Sequence, residues 1–92
     1  MDWKFEWHAE KASSNVAKHG VDFEDAVYVL DDPLRVERID GRGDYGEDRY
    51  VTLGLVYGVE LVVVYTLRAD VIRIISARKA DANERIEYWA NR

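Results

Sequence analysis

Residues 49–79 decide the fold, and they read RYVTLGLVYGVELVVVYTLRADVIRIISARK. Valine, leucine, isoleucine and tyrosine dominate this stretch. Only Tyr57-Gly58 and Arg68-Ala69-Asp70 interrupt it, a pattern typical of strands joined by tight turns. We therefore predict three strands, at residues 49–56, 59–67 and 71–77. Connections this short join antiparallel neighbours, because a parallel crossover needs a dozen or more residues.

Two helices are predicted before this β region. Good helix formers over residues 9–19 end at Gly20, which suits the left-handed conformation that closes many helices. Asp22 is then placed to cap a second helix. That helix must end before Asp31-Asp32-Pro33, because proline cannot continue the helical hydrogen bonds.

A third helix is predicted at the C-terminus, where Asp81 and Glu84 form the capping-box pattern. The side chains expected to face the core are Ala82, Ile86, Trp89 and Ala90. Short strands at residues 4–7 and 34–39 complete the order β-α-α-β-β-β-β-α. We therefore predict a single α+β domain over residues 1–92, with a small antiparallel sheet, two N-terminal helices and one C-terminal helix.

The composition of the 92 residues narrows the class of protein. Hydrophobic residues make up 48%, which predicts a packed core, and the absence of cysteine excludes disulfides and thiolate-bound metals. No apolar stretch approaches the roughly 20 residues of a membrane helix, and no signal-peptide pattern is present. We therefore expect a soluble, cytoplasmic protein without membrane contact. The spacing of histidines and carboxylates matches no metal motif, and no phosphate loop or dinucleotide fingerprint occurs, so we predict no metal ion and no cofactor.

Charge is distributed unevenly along the chain. The net charge is −5, and residues 20–60 carry eleven acidic residues against four arginines. Residues 65–80 form a basic island, with Asp70 as their single acidic residue against Arg68, Arg73, Arg78 and Lys79. This island is a candidate phosphate-binding site, because a guanidinium group can donate two parallel hydrogen bonds to phosphate oxygens.

The arginines leave two interpretations open. In the first, Arg73 lies on the water-facing side of its strand and pairs with a neighbour such as Glu60. In the second, Arg68, Arg73 and Arg78 converge on one phosphate. Strict alternation places Arg73 and Arg78 on opposite faces of the sheet, so convergence requires a β-bulge or a strong twist.

Three further side chains are candidates for chemistry. Lys18 and His19 end the first helix, where positive side chains complement the helix dipole. They also suit acid–base catalysis, because histidine titrates near neutrality and a lysine beside other cations loses its proton more easily. Tyr65 is expected in the core or at its rim, although its hydroxyl could contact a phosphate and its ring could stack with a base.

Several segments of the chain, in order and at matching separations, resemble the BrnT family. They are FEWHAEK at 5–11, NVAKHGVDFEDA at 15–26, DDP at 31–33, VVYTLR at 63–68 and RIISARKA at 73–80, followed by Glu84-Arg85 and Tyr88. His8 stands where the family usually has an N-capping aspartate, so we expect the cap of the first helix to be weakened.

The resemblance implies a toxin of a type II toxin–antitoxin module, with a RelE-like fold and a ribonuclease activity that arrests translation. It also implies a BrnA-like antitoxin partner, whose ribbon-helix-helix domain contacts operator DNA. By the same resemblance Lys18, Arg68 and Arg78 are expected to matter for RNA cleavage, and His19, Tyr65, Arg73, Ser76 and Lys79 are further candidates. The alternative is a binding module with weak or no catalysis, which docks the antitoxin and tunes repression.

Overall fold

The computed structural model describes residues 3–40 and 48–90. The segment at residues 40–48 is polar and rich in glycine, which predicts a loop, and it falls largely outside the described residues. The elements in chain order are β1 (Lys4–Glu6), α1 (Ala9–His19), α2 (Phe23–Ala26), a 3₁₀ helix (Val27–Asp31), β2 (Val36–Asp40), β3 (Arg49–Val56), β4 (Val59–Arg68), β5 (Val71–Lys79) and α3 (Ala82–Ala90). The predicted α+β class and the order of elements are confirmed, whereas the RelE-like architecture stays a prediction.

The five strands form one sheet in the order β1-β5-β4-β3-β2. The strands from β2 to β5 are antiparallel, as the short connections predict. The prediction of a purely antiparallel sheet is wrong, because β1 runs parallel to β5, with Lys4 beside Val71 and Glu6 beside Arg73. Connection length constrains only consecutive strands, whereas β1 and β5 come from opposite ends of the chain.

The segment after α1 differs from the predicted continuous helix. Gly20 closes α1 in the left-handed conformation, at φ 68°, and the Asp22 carboxylate accepts a hydrogen bond from the Glu24 amide, as predicted. The α-helix then gives way to the 3₁₀ helix at Val27. The residues there are valines and a tyrosine, whose side chains lose freedom in an α-helix.

A turn delays the start of β2 by two residues relative to the prediction. Asp32 organises this turn, since its carboxylate accepts a hydrogen bond from the Leu34 amide at 2.9 Å. The same carboxylate accepts a bond from the Leu55 amide in β3 at 2.8 Å. The turn is therefore fixed to the sheet before β2 begins at Val36.

The two faces of the sheet are covered differently, and we call them the first and second faces. The helices α1 and α2 and the 3₁₀ helix cover the first face, where Phe23, Val63 and Ala77 are fully buried. Helix α3 packs against one end of the second face through Tyr88, which belongs to a cluster with Leu53 and Val62. The rest of the second face is not covered by any helix that the structure describes, so its side chains are the ones that the sheet presents to other molecules.

The predicted apolar stripe of α3 (Ala82, Ile86, Trp89 and Ala90) is wrong. Ile86 is 67% exposed and Trp89 is 50% exposed, whereas Tyr88 is only 2% exposed. The Tyr88 hydroxyl donates to the Asp32 carboxylate, so this ring can be buried with its polar atom paired. The predicted capping box is confirmed, with the Glu84 amide donating to Asp81 at 2.8 Å and the Asp81 amide donating to Glu84 at 2.9 Å.

Candidate functional site

A β-bulge in β5 determines which of its side chains share a face. Val64 of β4 lies beside Ser76, but the next residue, Tyr65, lies beside Ile74. Ile75 is therefore an extra residue with no partner of its own in β4. Such an extra residue reverses the alternation of side chains for the rest of the strand.

The bulge brings Arg73 and Arg78 to the same face of the sheet. Arg73 lies beside Thr66, and Arg78 lies beside Val62. Thr66 and Val62 are four residues apart in β4, so their side chains point to one face, the second face. The strict alternation assumed from the sequence is therefore wrong at this point.

Five of the seven arginines that the structure describes occupy the second face. Arg38 lies beside Val51, Arg49 precedes Val51 by two residues, and Arg68 lies beside Val71. Alternation gives these three the same sidedness as Arg73 and Arg78. The second face thus concentrates positive charge in a chain that is acidic overall.

The arginines of the second face do not all converge on one point. Arg68 is six residues along β4 from Val62, the residue beside Arg78, which corresponds to about 20 Å along the strand. The interpretation that Arg68 shares one phosphate with Arg73 and Arg78 is therefore wrong. Ser76 lies midway between Arg73 and Arg78. Its neighbour in β4, Val64, is two residues, or about 7 Å, from the neighbours of both arginines.

Arg73 is held by a carboxylate, though not by the one that the sequence suggested. Its Nη1 donates to Oε2 of Glu6 in β1, because the parallel pairing of β1 with β5 sets these residues side by side. Glu60 instead accepts a hydrogen bond from the Trp89 indole at 2.8 Å, which lowers the pKa of Glu60. The predicted pair between Arg73 and Glu60 is thus replaced by the pair between Arg73 and Glu6.

Arg78 forms a two-pronged ion pair with the first turn of α3. Its Nη1 and Nη2 donate to the two Glu84 carboxylate oxygens at 2.7 and 2.8 Å. These bonds lower the pKa of Glu84 to about 2 and raise the pKa of Arg78. A guanidinium held in this way is oriented while keeping other N–H groups for a ligand.

Lys18 and His19 lie near the open edge of β5. The strand β1 ends beside Arg73, and α1 packs along the part of β5 that follows. A cavity of about 170 Å³ between them is lined by residues that include Lys18, His19 and Ser76. Ser76 is therefore the point at which the end of α1 meets the pair of arginines.

Asn15 fixes α1 to β5, and the sequence analysis did not single it out. Its side-chain amide donates to the Ala77 carbonyl at 2.8 Å and to the Val21 carbonyl at 2.9 Å, and its oxygen accepts the Ala77 amide at 3.1 Å. Asn15 is one of few buried polar side chains, in a helix whose neighbouring positions are exposed. The side-chain amide of Asn15 therefore acts like the peptide group of a neighbouring strand, because it pairs with both backbone polar groups of Ala77 at the edge of β5.

Tyr65 and Lys79 lie on the first face, away from the arginines of the second face. The Tyr65 ring is buried and stacks on Tyr50 with centroids 5.5 Å apart, and its hydroxyl lies 3.4 Å from the Thr52 hydroxyl and 3.5 Å from Glu37. Burial raises the pKa of Tyr65. Lys79 borders a separate cavity beside Asp22 and Asp25. Of the eight candidates, Lys18, His19 and Ser76 line one cavity, and Arg68, Arg73, Ser76 and Arg78 share the second face, whereas Tyr65 and Lys79 lie on the first face.

A second surface has the opposite charge. The cavity beside Lys79 has a volume of about 160 Å³ and is lined by Asp22, Asp25 and apolar side chains that include Val59. Tyr57, 76% exposed at the β3–β4 turn, contacts the ring of Tyr28 with centroids 5.8 Å apart. Acidic and aromatic groups on this surface suit a basic partner.

Comparison with known protein families places the chain in one class of proteins, the ribonuclease toxins of type II toxin–antitoxin systems. The model of one such family, the BrnT toxins, matches residues 7–84, and the chain belongs to this family. No curated protein matches the chain. Among residues 3–40 and 48–90, no helix is long and apolar enough to cross a membrane, and no three histidine or carboxylate side chains are grouped to hold a metal ion.

Proposed function

We propose that this protein is an endoribonuclease that cleaves RNA by attack of the ribose 2′-hydroxyl, with the scissile phosphate lying over Ser76. The observation that supports this proposal is the bulge at Ile75, which gives Arg73 and Arg78 one face and sets Ser76 midway between them. The cavity that Ser76 shares with Lys18 and His19 adds groups that can move protons.

In the proposed reaction, the 2′-oxygen attacks the adjacent phosphorus, and the bond from phosphorus to the 5′-oxygen breaks. His19 accepts the proton of the 2′-hydroxyl, because an imidazole nitrogen can act as a general base. Lys18 donates a proton to the departing 5′-oxygen, because an ammonium group can act as a general acid. The products are a 2′,3′-cyclic phosphate and a 5′-hydroxyl, and the reaction uses no metal ion.

The arginines have distinct roles in this proposal. Arg73 and Arg78 flank the scissile phosphate and stabilise the negative charge that develops on its oxygens. Arg68 binds a different phosphate of the same RNA strand, since it lies about 20 Å from Arg78 along the sheet. Tyr65 and Lys79 do not take part. Cleavage of messenger RNA in the cytoplasm would then arrest translation.

The proposal is tested with purified protein and a labelled RNA. Lys18→Ala removes a side chain that bonds to no other described residue, and we expect the cleavage rate to fall about 10²-fold. Arg35→Gln is a matched control, because it also removes one positive charge but from the first face, where Arg35 pairs with Glu37 at 2.6 Å. Circular dichroism verifies that both variants fold.

Two outcomes contradict the proposal. If Lys18→Ala and His19→Ala both cleave RNA at the rate of the unmodified protein, the end of α1 does not supply the proton-transfer groups. If EDTA abolishes cleavage and added Mg²⁺ restores it, the reaction requires a metal ion. A 2′-deoxy substitution at the cleaved position should block the reaction, because it removes the attacking oxygen.

A second function, docking of an antitoxin that tunes repression, is supported by the acidic surface around Asp22, Asp25 and Tyr57. In this proposal the partner is a BrnA-like ribbon-helix-helix protein, and the toxin reaches operator DNA only through it. Expression of the toxin alone should stop growth, and co-expression of the antitoxin should restore it. A protein that does neither, yet still binds the antitoxin, would be a docking module rather than a toxin.

A further inference from the structure

We propose that a cavity beside the first turn of α1 is a guanine-binding subsite, and that Glu10 determines this base preference. The inference rests on the proposed ribonuclease function, because it names the base of the nucleotide whose phosphate the second face would hold. Apart from Arg73, it concerns residues that the proposed cleavage reaction does not use.

The cavity has a volume of about 340 Å³, enough for one nucleobase with its sugar. Its lining includes His8, Glu10, Lys11, Ser14, Arg73 and Ile75. Three of these residues, Lys11, Ser14 and Ile75, also line the cavity that contains Lys18 and His19. The two cavities therefore form one groove between α1 and the open edge of β5.

Arg73 connects this groove to the second face. Its backbone position assigns its side chain to the face that carries Arg78, and the residue also borders the larger cavity. A nucleotide whose phosphate contacts Arg73 can therefore extend its base along α1. The ion pair with Glu6 keeps the Arg73 guanidinium at this junction.

The polar side chains of the groove are available to a ligand. Within the described part of the chain, His8, Glu10 and Ser14 make no side-chain hydrogen bond or ion pair. His8 occupies the N-cap position of α1 without capping it, as expected from the sequence. Asn15, one residue beyond Ser14, is in contrast fully used in holding Ala77.

Guanine fits this set of groups better than the other bases. An ionised carboxylate such as that of Glu10 only accepts hydrogen bonds, and it has two oxygens side by side. Guanine presents two adjacent donors, N1–H and the N2 amino group, whereas adenine and cytosine each set one amino group beside an acceptor. The single N3–H donor of uracil is flanked by two carbonyl oxygens, which a carboxylate repels. Ile75 offers an apolar contact to the flat base, and the His8 ring can stack on it.

The experiment measures binding of GMP, AMP, CMP and UMP by calorimetry and maps the cleaved bonds in an RNA of random sequence. We expect GMP to bind at least about 10-fold more tightly than the other three, and cuts to concentrate beside guanosines. Glu10→Gln should remove the preference in both measurements. Glu24→Gln is the matched control, since it removes an exposed carboxylate from the start of α2 and should change neither.

The subsite and the proposed function fail in different ways. Equal binding of the four nucleotides, or a guanine preference that persists in Glu10→Gln, overturns the subsite even if the protein cleaves RNA. A preference for GMP that is lost in Glu10→Gln supports the subsite even if no RNA is cleaved, and in that case the proposed reaction is wrong.

Discussion

The guanidinium of Arg78 and the carboxylate of Glu84 are joined by two hydrogen bonds, at 2.7 and 2.8 Å. Glu84 also accepts the Asp81 amide, so one carboxylate both caps α3 and holds an arginine of β5. The proposed phosphate site and the position of α3 are therefore linked through a single side chain.

The first prediction concerns acid stability. The pKa of Glu84 is lowered from 4.5 to about 2 in the folded protein. The ionised carboxylate therefore stabilises the fold fully above the unfolded pKa, and this stabilisation is lost as the pH falls through the folded pKa. Glu84→Gln should therefore lower the free energy of unfolding by about 1–2 kcal/mol at pH 7. The loss should shrink toward pH 2.

Urea unfolding at pH 7 and at pH 3 measures this difference. Glu24→Gln, at an exposed position, serves as the control and should give nearly the same stability as the unmodified protein at both pH values. An equal loss for Glu84→Gln at both pH values would show that its carboxylate does not carry the effect.

A second prediction concerns RNA affinity in the same variant. Removing the charge of Glu84 leaves Arg78 without its carboxylate, so binding of a non-cleavable 2′-deoxy-substituted strand should become severalfold tighter. The dependence of the logarithm of affinity on the logarithm of salt concentration should steepen by up to about 0.7, because the charge of Glu84 no longer offsets that of Arg78 at the phosphate. Fluorescence anisotropy over a salt series measures both. Weaker binding would mean that Glu84 orients Arg78 more than it competes with RNA.

The third prediction concerns the attachment of α1 to β5. Asn15→Ala leaves the amide and carbonyl of Ala77 without the partners that Asn15 provides, and buried unpaired groups are costly. We expect the free energy of unfolding to fall by about 2–3 kcal/mol. Chemical denaturation tests this, with Ser13→Ala, at an exposed position of the same helix, as the control. Faster hydrogen exchange of the Ala77 amide should accompany the loss.

The fourth prediction concerns the close approach of β3 and the 3₁₀ helix. A Cβ at Gly54 would lie 2.8 Å from Val29 Cγ2 and 3.3 Å from the Val29 carbonyl oxygen. Gly54→Ala should therefore destabilise the protein by about 1–3 kcal/mol through overpacking. Thermal unfolding measures the effect. In the double variant with Val29→Ala, the loss of stability should differ from the sum of the two single losses, because the smaller side chain at position 29 makes room for the new methyl group. Simple additivity would refute this packing explanation.

Local patterns predict much of this fold correctly. The apolar runs of β3 and β4, the glycine that ends α1 and the capping box of α3 each depend on neighbouring residues, and the structure confirms them. The parallel pairing of β1 with β5 could not be predicted in this way, because it depends on contacts between distant segments. The buried side of α3 was also missed. Tyr88 is buried where its hydroxyl can donate a hydrogen bond to the carboxylate of Asp32, a residue distant in the sequence.

The candidate site shows the same division. Basic residues and the end of α1 could be singled out by their chemistry, but which of them lie together depends on Ile75, and neither glycine nor proline marks that bulge. The partner of Arg73 was missed for a related reason, because Glu6 reaches it only through the pairing of the two chain ends. The functional roles assigned to these residues stay predictions.

The extra residue in β5 also constrains how this strand can be altered. Ile74 and Ser76 already lie beside successive residues of β4, so a chain lacking Ile75 would keep every later side chain on its present face. Ala77 would remain beside Val63 and Arg78 beside Val62, and the strand would lose only its irregularity. A relative whose strand is one residue shorter here can therefore preserve both faces, and an alignment with it should place the gap at Ile75.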